Sequence, residues 1–408
     1  MKRVMLLAMF IVAAVTVGAA PREIHMFIPS PEYADAINKL IAEYKTVEPD
    51  VTINYETTQT DYPTLLKARL NSGNPPDIFG STSGKEIGVY LEYSQNLADQ
   101  PLAKAMTDPV KTVMMSGKEL HGFAIKGNYF GIVYNKEIFD KVGIKEFPQT
   151  FSALQAACKK ISAAGYTPFT DGFAEWWVYK HAFQHFLYAA QPKDVEGLVN
   201  AFSSGKAHFK DYPALYTDFF RFIDLVMKNG DAKPLESSLS TEEAALASGK
   251  TAMVVGQGAW IESDVLKINP KLAIGFNGYP VNEDPKVTKV IAGADQALRI
   301  YKGSPDLKDV LAFVNWWYTS DYGKNWFTKV AGVIPPVKDA TAPNFEIVKQ
   351  GSALAAAKGA GTLGIVYSTD SFWQAFGETM QSYIAGTATK DAVIAQIEKK
   401  WVELEGKK

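Results

Sequence analysis

The chain has 408 residues, 42 basic and 44 acidic side chains, one cysteine, 8 Trp, 19 Tyr and 23 Phe. A hydrophobic fraction of 47% with 21% charged residues excludes disorder and collagen-like repeats, and at roughly 150 residues per domain the length predicts two or three folding units with ample core. A net charge of −2 leaves no electrostatic footprint for nucleic acid, and a lone Cys158 excludes an intrachain disulfide, a cysteine-based zinc site and an iron–sulfur cluster.

Lys2 and Arg3 followed by the apolar run Val4 to Val17 and the small residues Val17-Gly18-Ala19 predict a signal peptide over 1–19, cut after Ala19, with a cut after Ala20 or retention as an anchor left open. Fourteen apolar residues fall short of the roughly 20 that span a bilayer, and Cys158 is too distant to be a lipid-attachment site. Export as a free, monomeric protein is the expectation. Beyond the signal, Ile24 to Ile28 predicts a strand, Tyr33 to Tyr44 a helix with Ile37, Leu40 and Ile41 on one face, Val51 to Tyr55 a strand, Leu65 to Leu70 a helix and Asp77 to Phe79 a strand. Strands alternating with helices predict a parallel sheet covered on both faces. Ligands gather at loops after the carboxyl ends of such strands, here Pro29 to Glu32, Thr57 to Tyr62 and Gly80 to Gly84. A second series begins with the strand Phe130 to Tyr134 and continues through helices at 151–164, 178–190 and 212–228, then short strands at 251–256 and 272–276. Helices close the chain from Asp370 to Ala385 and from Thr389 to Leu404. No linker divides the chain, so two lobes would exchange backbone more than once.

Two phosphate-loop patterns fail on context. Ala244 to Thr251 (AALASGKT) has its helix before the glycine and its strand after, the reverse of a phosphate cradle, and Gly359 to Gly364 follows a helix and opens none. His181 and His185 share a helix face, but with no acidic residue between them a core or surface pair is expected, not a metal site. No zinc-protease, nucleophile-elbow or calcium-loop signature is present, and no cofactor is implied. The tryptophans carry more. Trp176 follows the loop Thr170 to Glu175, Trp260 follows Gly256-Gln257-Gly258-Ala259, and Trp373 sits in Ser368 to Trp373, each with an acid or amide within five residues. A pyranose has apolar C–H faces and a belt of hydroxyls, so it calls for flat aromatics with carboxylates or amides around the rim. A sugar cleft is the expectation.

Several segments, taken in order, resemble the maltose-type solute-binding proteins of ABC sugar importers (bacterial extracellular solute-binding proteins, family 1). Asn74 to Phe79 is similar to the family's PPD strand, Gly131 to Phe139 to its YNK segment, and Phe147 to Phe151 to its P-x-TW stretch with Phe in place of Trp. Ser248 to Met253 followed by Gln257 to Trp260, then Ile291 to Asp295 and Gly332 to Pro335, are like later blocks. The resemblance implies an α/β, two-lobed periplasmic-binding-protein fold of type II with a hinge, the N-lobe at 20–126 and 294–328 and the C-lobe at 127–293 and 329–408. It implies a carbohydrate ligand held between the lobes, no catalysis, no metal, and two permease subunits as membrane partners. Carried over by position, the implied ligand residues are Trp260 and Trp373, which match sugar-stacking residues; Trp176 with Asp171 and Phe173; the loops with Ser81, Thr82, Thr60 and Asp61; Asn128 at a crossover; and, beside these blocks, Asp295, Gln257, Asp370 and Phe372. The loop Pro29-Ser30-Pro31 lacks the charged pair of maltose binders, and Gly80 to Gly84 is small and uncharged, so the sugar stays open between maltose and other mono- or oligosaccharides. A same-fold receptor for a polyamine or glycerophosphodiester, and a secreted carbohydrate-active enzyme, stay open as alternatives.

Overall fold

The computed structural model describes residues 22–58, 60–341 and 343–406. The expected signal peptide and its cleavage site lie outside them. Among the described residues eleven strands run in chain order: β1 Arg22–Ile28, β2 Val51–Thr57, β3 Ile78–Thr82, β4 Met115–Ser116, β5 Glu119–Leu120, β6 Asn128–Asn135, β7 Thr167–Thr170, β8 Thr251–Gly258, β9 Ile274–Asn277, β10 Ile291–Gly293 and β11 Gln296–Ile300. They form two larger sheets and one small hairpin, each larger sheet at the heart of a lobe.

The N-lobe sheet has the order β11-β3-β1-β2. β1 pairs in parallel with β2 (Ile24 opposite Ile53) and with β3 (Met26 opposite Ile78), as the strand–helix alternation predicts. The fourth strand breaks that pattern. β11 runs antiparallel to β3, Gln296 opposite Thr82, because it re-enters this lobe from its partner lobe instead of through a local helix. Its first residues therefore lie beside the carboxyl ends of the parallel strands, where the ligand loops are expected. Buried Ile24, Met26, Ile28, Ile37, Leu40 and Ile78 form the core beneath the sheet.

The C-lobe sheet has the order β10-β6-β8-β7, with β9 also on β6, and only the β7–β8 pair is parallel. Its central helix, Trp176–Ala190, is buried on nearly every face, packing on β8 and on the Asp370–Ile384 helix, which matches its all-round apolar sequence. The C-terminal helix Lys390–Glu405 packs behind the latter. Among the described residues no helix is long and apolar enough to cross a membrane.

Three strands of chain link the lobes. The first two run side by side: Phe123 pairs with Leu298 on the N-lobe side, and Asn128 pairs with Gly293 on the C-lobe side. The third differs from the sequence reading, which ends the N-lobe at residue 328. Gly127 N–H donates to Ile334 O (2.8 Å), Thr107 N–H to Pro336 O (2.9 Å) and Lys338 N–H to Ala105 O (2.7 Å). The segment through Lys338 thus stays on the N-lobe, and the chain leaves it near Asp339, a non-glycine residue with φ 62°. The turn Gly332 to Pro335 carries no lobe assignment in sequence; only pairing with residues over two hundred positions earlier shows which lobe keeps it.

Candidate functional site

A cavity of about 70 Å³ opens between the lobes, with an adjoining chamber of about 30 Å³. The N-lobe contributes Pro29, Tyr62, Pro63, Ser81, Thr82, Asp295 and Gln296 to the first, and the C-lobe Trp176, Trp177, Lys180, His181 and Asp370. Glu32, Lys126, Leu239 and Trp260 enclose the second, which shares Trp177, His181, Asp295 and Gln296 with the first. The two walls differ in chemistry. The C-lobe wall is aromatic, the N-lobe wall polar with two prolines.

Local sequence explains that division. The first turn of the Trp176–Ala190 helix projects Trp176 and Trp177, and Lys180 and His181 follow one turn later on the same side. Trp260 sits in a short 3-10 turn directly after β8, where a Cβ on Gly258 would overlap its ring; the glycine lets the indole lie across the strand end. On the opposite wall the cavity residues come from the ends of β1 and β3 and the start of β11.

Each cation in the cleft is placed in the same way. Lys180 Nζ lies 3.3 Å from Asp370 Oδ1 and 4.9 Å from the Trp176 ring centre. Lys126 Nζ lies 3.6 Å from Glu32 Oε1, with the Trp260 and Tyr33 rings at 5.0 and 4.9 Å. Burial disfavours the Lys126 ammonium, but Tyr33, Glu32 and Asp295 outweigh it and lift its pKa above the ordinary lysine range. Burial also raises the Glu32 carboxyl, opposed by Lys126. Burial, with Lys180 second, pushes the His181 imidazole well below its usual range, so it is neutral. Its Nδ1 meets Gly256 O at 3.0 Å, which requires the proton on Nδ1 and leaves Nε2 as an acceptor. Ser30 Oγ donates to Gln296 Oε1 (3.0 Å), leaving the Gln296 amide donors unused by that bond.

Some of the buried polar atoms without partners belong to residues at this cleft. The indole N–H groups of Trp176 and Trp177 have none, nor does Asn128 Oδ1, whose own Nδ2 points to Asp295 Oδ1 at 3.5 Å. A buried donor left unpaired costs about 1–3 kcal/mol, so these atoms call for a partner that the described side chains do not supply.

Of the residues expected from sequence, Ser81, Thr82, Trp176, Trp260, Asp295 and Asp370 line the cavities, and Asn128 stands behind Asp295. Thr60 and Asp61 are exposed just before Tyr62, and it is Tyr62 and Pro63 that reach the cavity. The others are corrected. Trp373 is fully buried, its Nε1 donating to Ile365 O (2.7 Å), and Phe372 stacks on Trp401 at 4.5 Å; both face the C-lobe core because that helix turns its acidic first residue, not its aromatics, to the cleft. Phe173 is stacked on Tyr179 (4.9 Å). Asp171 is fully buried, accepting from Phe173 N–H (3.2 Å), and burial pushes its carboxyl up to about 7. Gln257 faces inward and donates to the buried Glu242. Trp177, Lys180, His181, Lys126 and Gln296 escape sequence reasoning, whereas Glu32 closes the expected loop Pro29 to Glu32. His181 and His185 do differ in role: His185 lies over Tyr279 at 4.2 Å in the core, whereas His181 faces the cleft. A helical projection from Trp176 gives Lys180 at the next turn, a signal that was available. Among the described residues no group of His, Cys, Asp or Glu is arranged to hold a metal ion.

Comparison with known proteins follows the same line. The melibiose/raffinose/stachyose-binding protein MelE of Bacillus subtilis (strain 168) is 24% identical over 293 residues, 69% of this chain and 66% of that protein. An uncharacterized ABC transporter extracellular-binding protein of Pyrococcus horikoshii is 22% identical over 295 residues, 70% of this chain and 64% of its own. The chain thus spans just under two thirds of the length of each. Among solved structures, a chitin oligosaccharide binding protein superposes with a TM-score of 0.81 at 19% identity, covering 94% of this chain and 98% of that one. A sugar transporter protein of Bacillus licheniformis in complex with stachyose gives 0.79 at 18% identity, covering 94% and 100%. These likenesses establish the two-lobed solute-binding fold. The profile of the bacterial extracellular solute-binding proteins matches residues 30–324, most of the chain, and the protein belongs to that family.

Proposed function

We propose that this protein captures an uncharged saccharide between its lobes and delivers it to the permease of an ABC importer, without catalysis of its own. The observation that carries this reading is the pair of partnerless indole donors, Trp176 and Trp177, on the wall of an interlobe cavity whose cations are already neutralised by carboxylates. Flat apolar faces meet the C–H faces of a sugar ring. The indole N–H groups, Gln296, Asp295 and the His181 acceptor meet its hydroxyls. A cleft whose lysines are paired in this way offers no free cation to a phosphate or carboxylate ligand.

Closure about the paired crossovers brings the N-lobe rim onto a sugar stacked on the C-lobe wall, so bound sugar shifts the population toward the closed form. Each lobe of that form would engage one permease subunit. An exported, monomeric protein released by a cleavable leader fits this role, as do relatives whose names specify raffinose-type and chitin oligosaccharides.

A thermal-shift panel tests the reading. Melibiose, raffinose, stachyose, chitin oligosaccharides and maltose are set beside a polyamine and a glycerophosphodiester. A ligand at a hundred times its Kd adds about 2.7 kcal/mol to stability, which raises the melting temperature by a few degrees. At least one saccharide is expected to do so. A shift given only by the polyamine or the phosphodiester overturns the proposal, and release of a cleaved sugar during incubation would replace it with an enzyme.

A further inference from the structure

Beside the cavity, the lobes touch through a contact that involves no ligand atom. The five-residue helix Lys85–Val89 of the N-lobe faces the segment 364–371 of the C-lobe. Glu86, only 2% exposed, accepts the Asp370 backbone N–H through Oε2 at 2.7 Å. Asp370 in turn accepts from Thr82, N–H to Oδ2 at 3.1 Å and hydroxyl to Oδ1. Asp370 is the first residue of the Asp370–Ile384 helix, so the Glu86 carboxyl oxygen seats where that helix has an unsatisfied backbone donor. Gly84, with φ 69°, allows the approach, since a Cβ there would overlap the Val366 carbonyl. The N-lobe side is held firm by Arg299, fully buried, which donates to Ser81 Oγ (2.7 and 3.1 Å), Glu86 O (2.8 Å) and Ile87 O (3.2 Å). On the C-lobe side, Glu405 at the end of the last helix accepts from Thr369 N–H (2.8 Å) and meets Lys85 Nζ of the N-lobe at 2.5 Å.

We propose that Glu86 is a positioning residue that latches the lobes together, docking on the amino end of the Asp370–Ile384 helix and holding Asp370 against Thr82 so that closure completes the cleft. The latch works in the empty protein, because every partner in it is protein. It also links closure to protons. Burial first, and the Asp370 charge second, push the closed-state Glu86 carboxyl up to about 8. The groups facing it are Asp370 on the C-lobe helix, Lys180 on the central helix, Arg299 on β11 and Tyr90 on its own lobe. Opening withdraws Asp370 and admits water, returning the carboxyl toward its ordinary value of about 4.3. Between these values the closed form holds one more proton than the open form, so closure strengthens as pH falls from 9 to 6.

Small-angle scattering of the ligand-free full chain, at pH 6 and pH 9, reads the latch without any sugar, so it fails or survives apart from the saccharide proposal. At pH 6, Glu86→Ala is expected to have a radius of gyration about 1 Å larger than the unaltered protein, against about 21 Å for a compact chain of this length. The unaltered protein is expected to expand between pH 6 and pH 9. Glu86→Gln, whose amide oxygen still accepts the Asp370 N–H, is expected to stay compact at both. Identical curves for the unaltered protein and a folded Glu86→Ala overturn the proposal. If Glu86→Ala does not fold by circular dichroism, the Gln variant decides: a pH response like that of the unaltered protein overturns the latch, and a flat one supports it.

Discussion

Two aromatic clusters in the C-lobe are built from the same residue types and differ in one property. Around Trp401, Phe372 stacks at 4.5 Å and Phe202 at 4.8 Å, Trp401 Nε1 donates to Ser368 Oγ (2.9 Å) and Trp373 Nε1 to Ile365 O (2.7 Å). Every polar handle there is used. Around Trp177, the Trp260 and His181 rings lie at 6.4 and 5.2 Å, and the Trp176 and Trp177 handles are unused while their surfaces border an open cavity. On the saccharide reading proposed above, the difference teaches that a binding aromatic is marked by an unpaired N–H together with an adjoining void. The N–H alone is insufficient: Trp317 Nε1 is also partnerless, yet that ring is fully enclosed in the N-lobe by Phe123, Trp326 and Phe327.

Mutation of either cluster can break this distinction. Trp401→Ala is expected to lose about 3–5 kcal/mol of stability, measured by urea unfolding, because it leaves a large cavity and an orphaned Ser368 hydroxyl. Trp177→Ala is expected to lower stability much less but to weaken binding of the best sugar from the thermal panel by roughly 30-fold, about 2 kcal/mol by titration calorimetry. Reversal of those two outcomes would show that the clusters had been assigned to the wrong roles.

A smaller effect sharpens the boundary between cleft and core. Asp171 titrates near 7 in the folded chain, raised by burial, against an unfolded value near 3.9. Between these values the folded state holds the extra proton, so this carboxyl lowers stability as pH rises from about 4 to 7 and costs its full amount above that. Asp171→Asn keeps the acceptor for Phe173 N–H. The variant is therefore expected to melt a few degrees higher than the unaltered protein at pH 8 and nearly equal to it at pH 3. Loss of sugar binding without a stability change would instead place Asp171 functionally in the cleft.

Much was fixed by the sequence alone. Alternation of strand and helix patterns dictates the parallel β2-β1-β3 core, and small or polar residues at those strand ends foretell Ser81 and Thr82 at the cavity. The placing of Trp176 and Trp260 at element junctions foretold their part in the cleft, since a ring at a strand or helix end is not enclosed by its own element's apolar face. The same local rule misplaced Trp373, because its junction is capped from behind by the Lys390–Glu405 helix, a packing partner whose position no local pattern encodes. Likewise β11, Gln-Ala-Leu-Arg-Ile, carries no local mark of its partner. Its direction, and the arrival of Asp295 and Gln296 at the cleft, depend on a return from the other lobe. Tertiary structure alone paired Lys126 with Glu32 and Lys180 with Asp370, across 94 and 190 positions of chain. Each pair lies within a single lobe, and charge pairing and burial at such separations arise only when the fold brings remote segments together, which here decided which of the expected residues face the cavity.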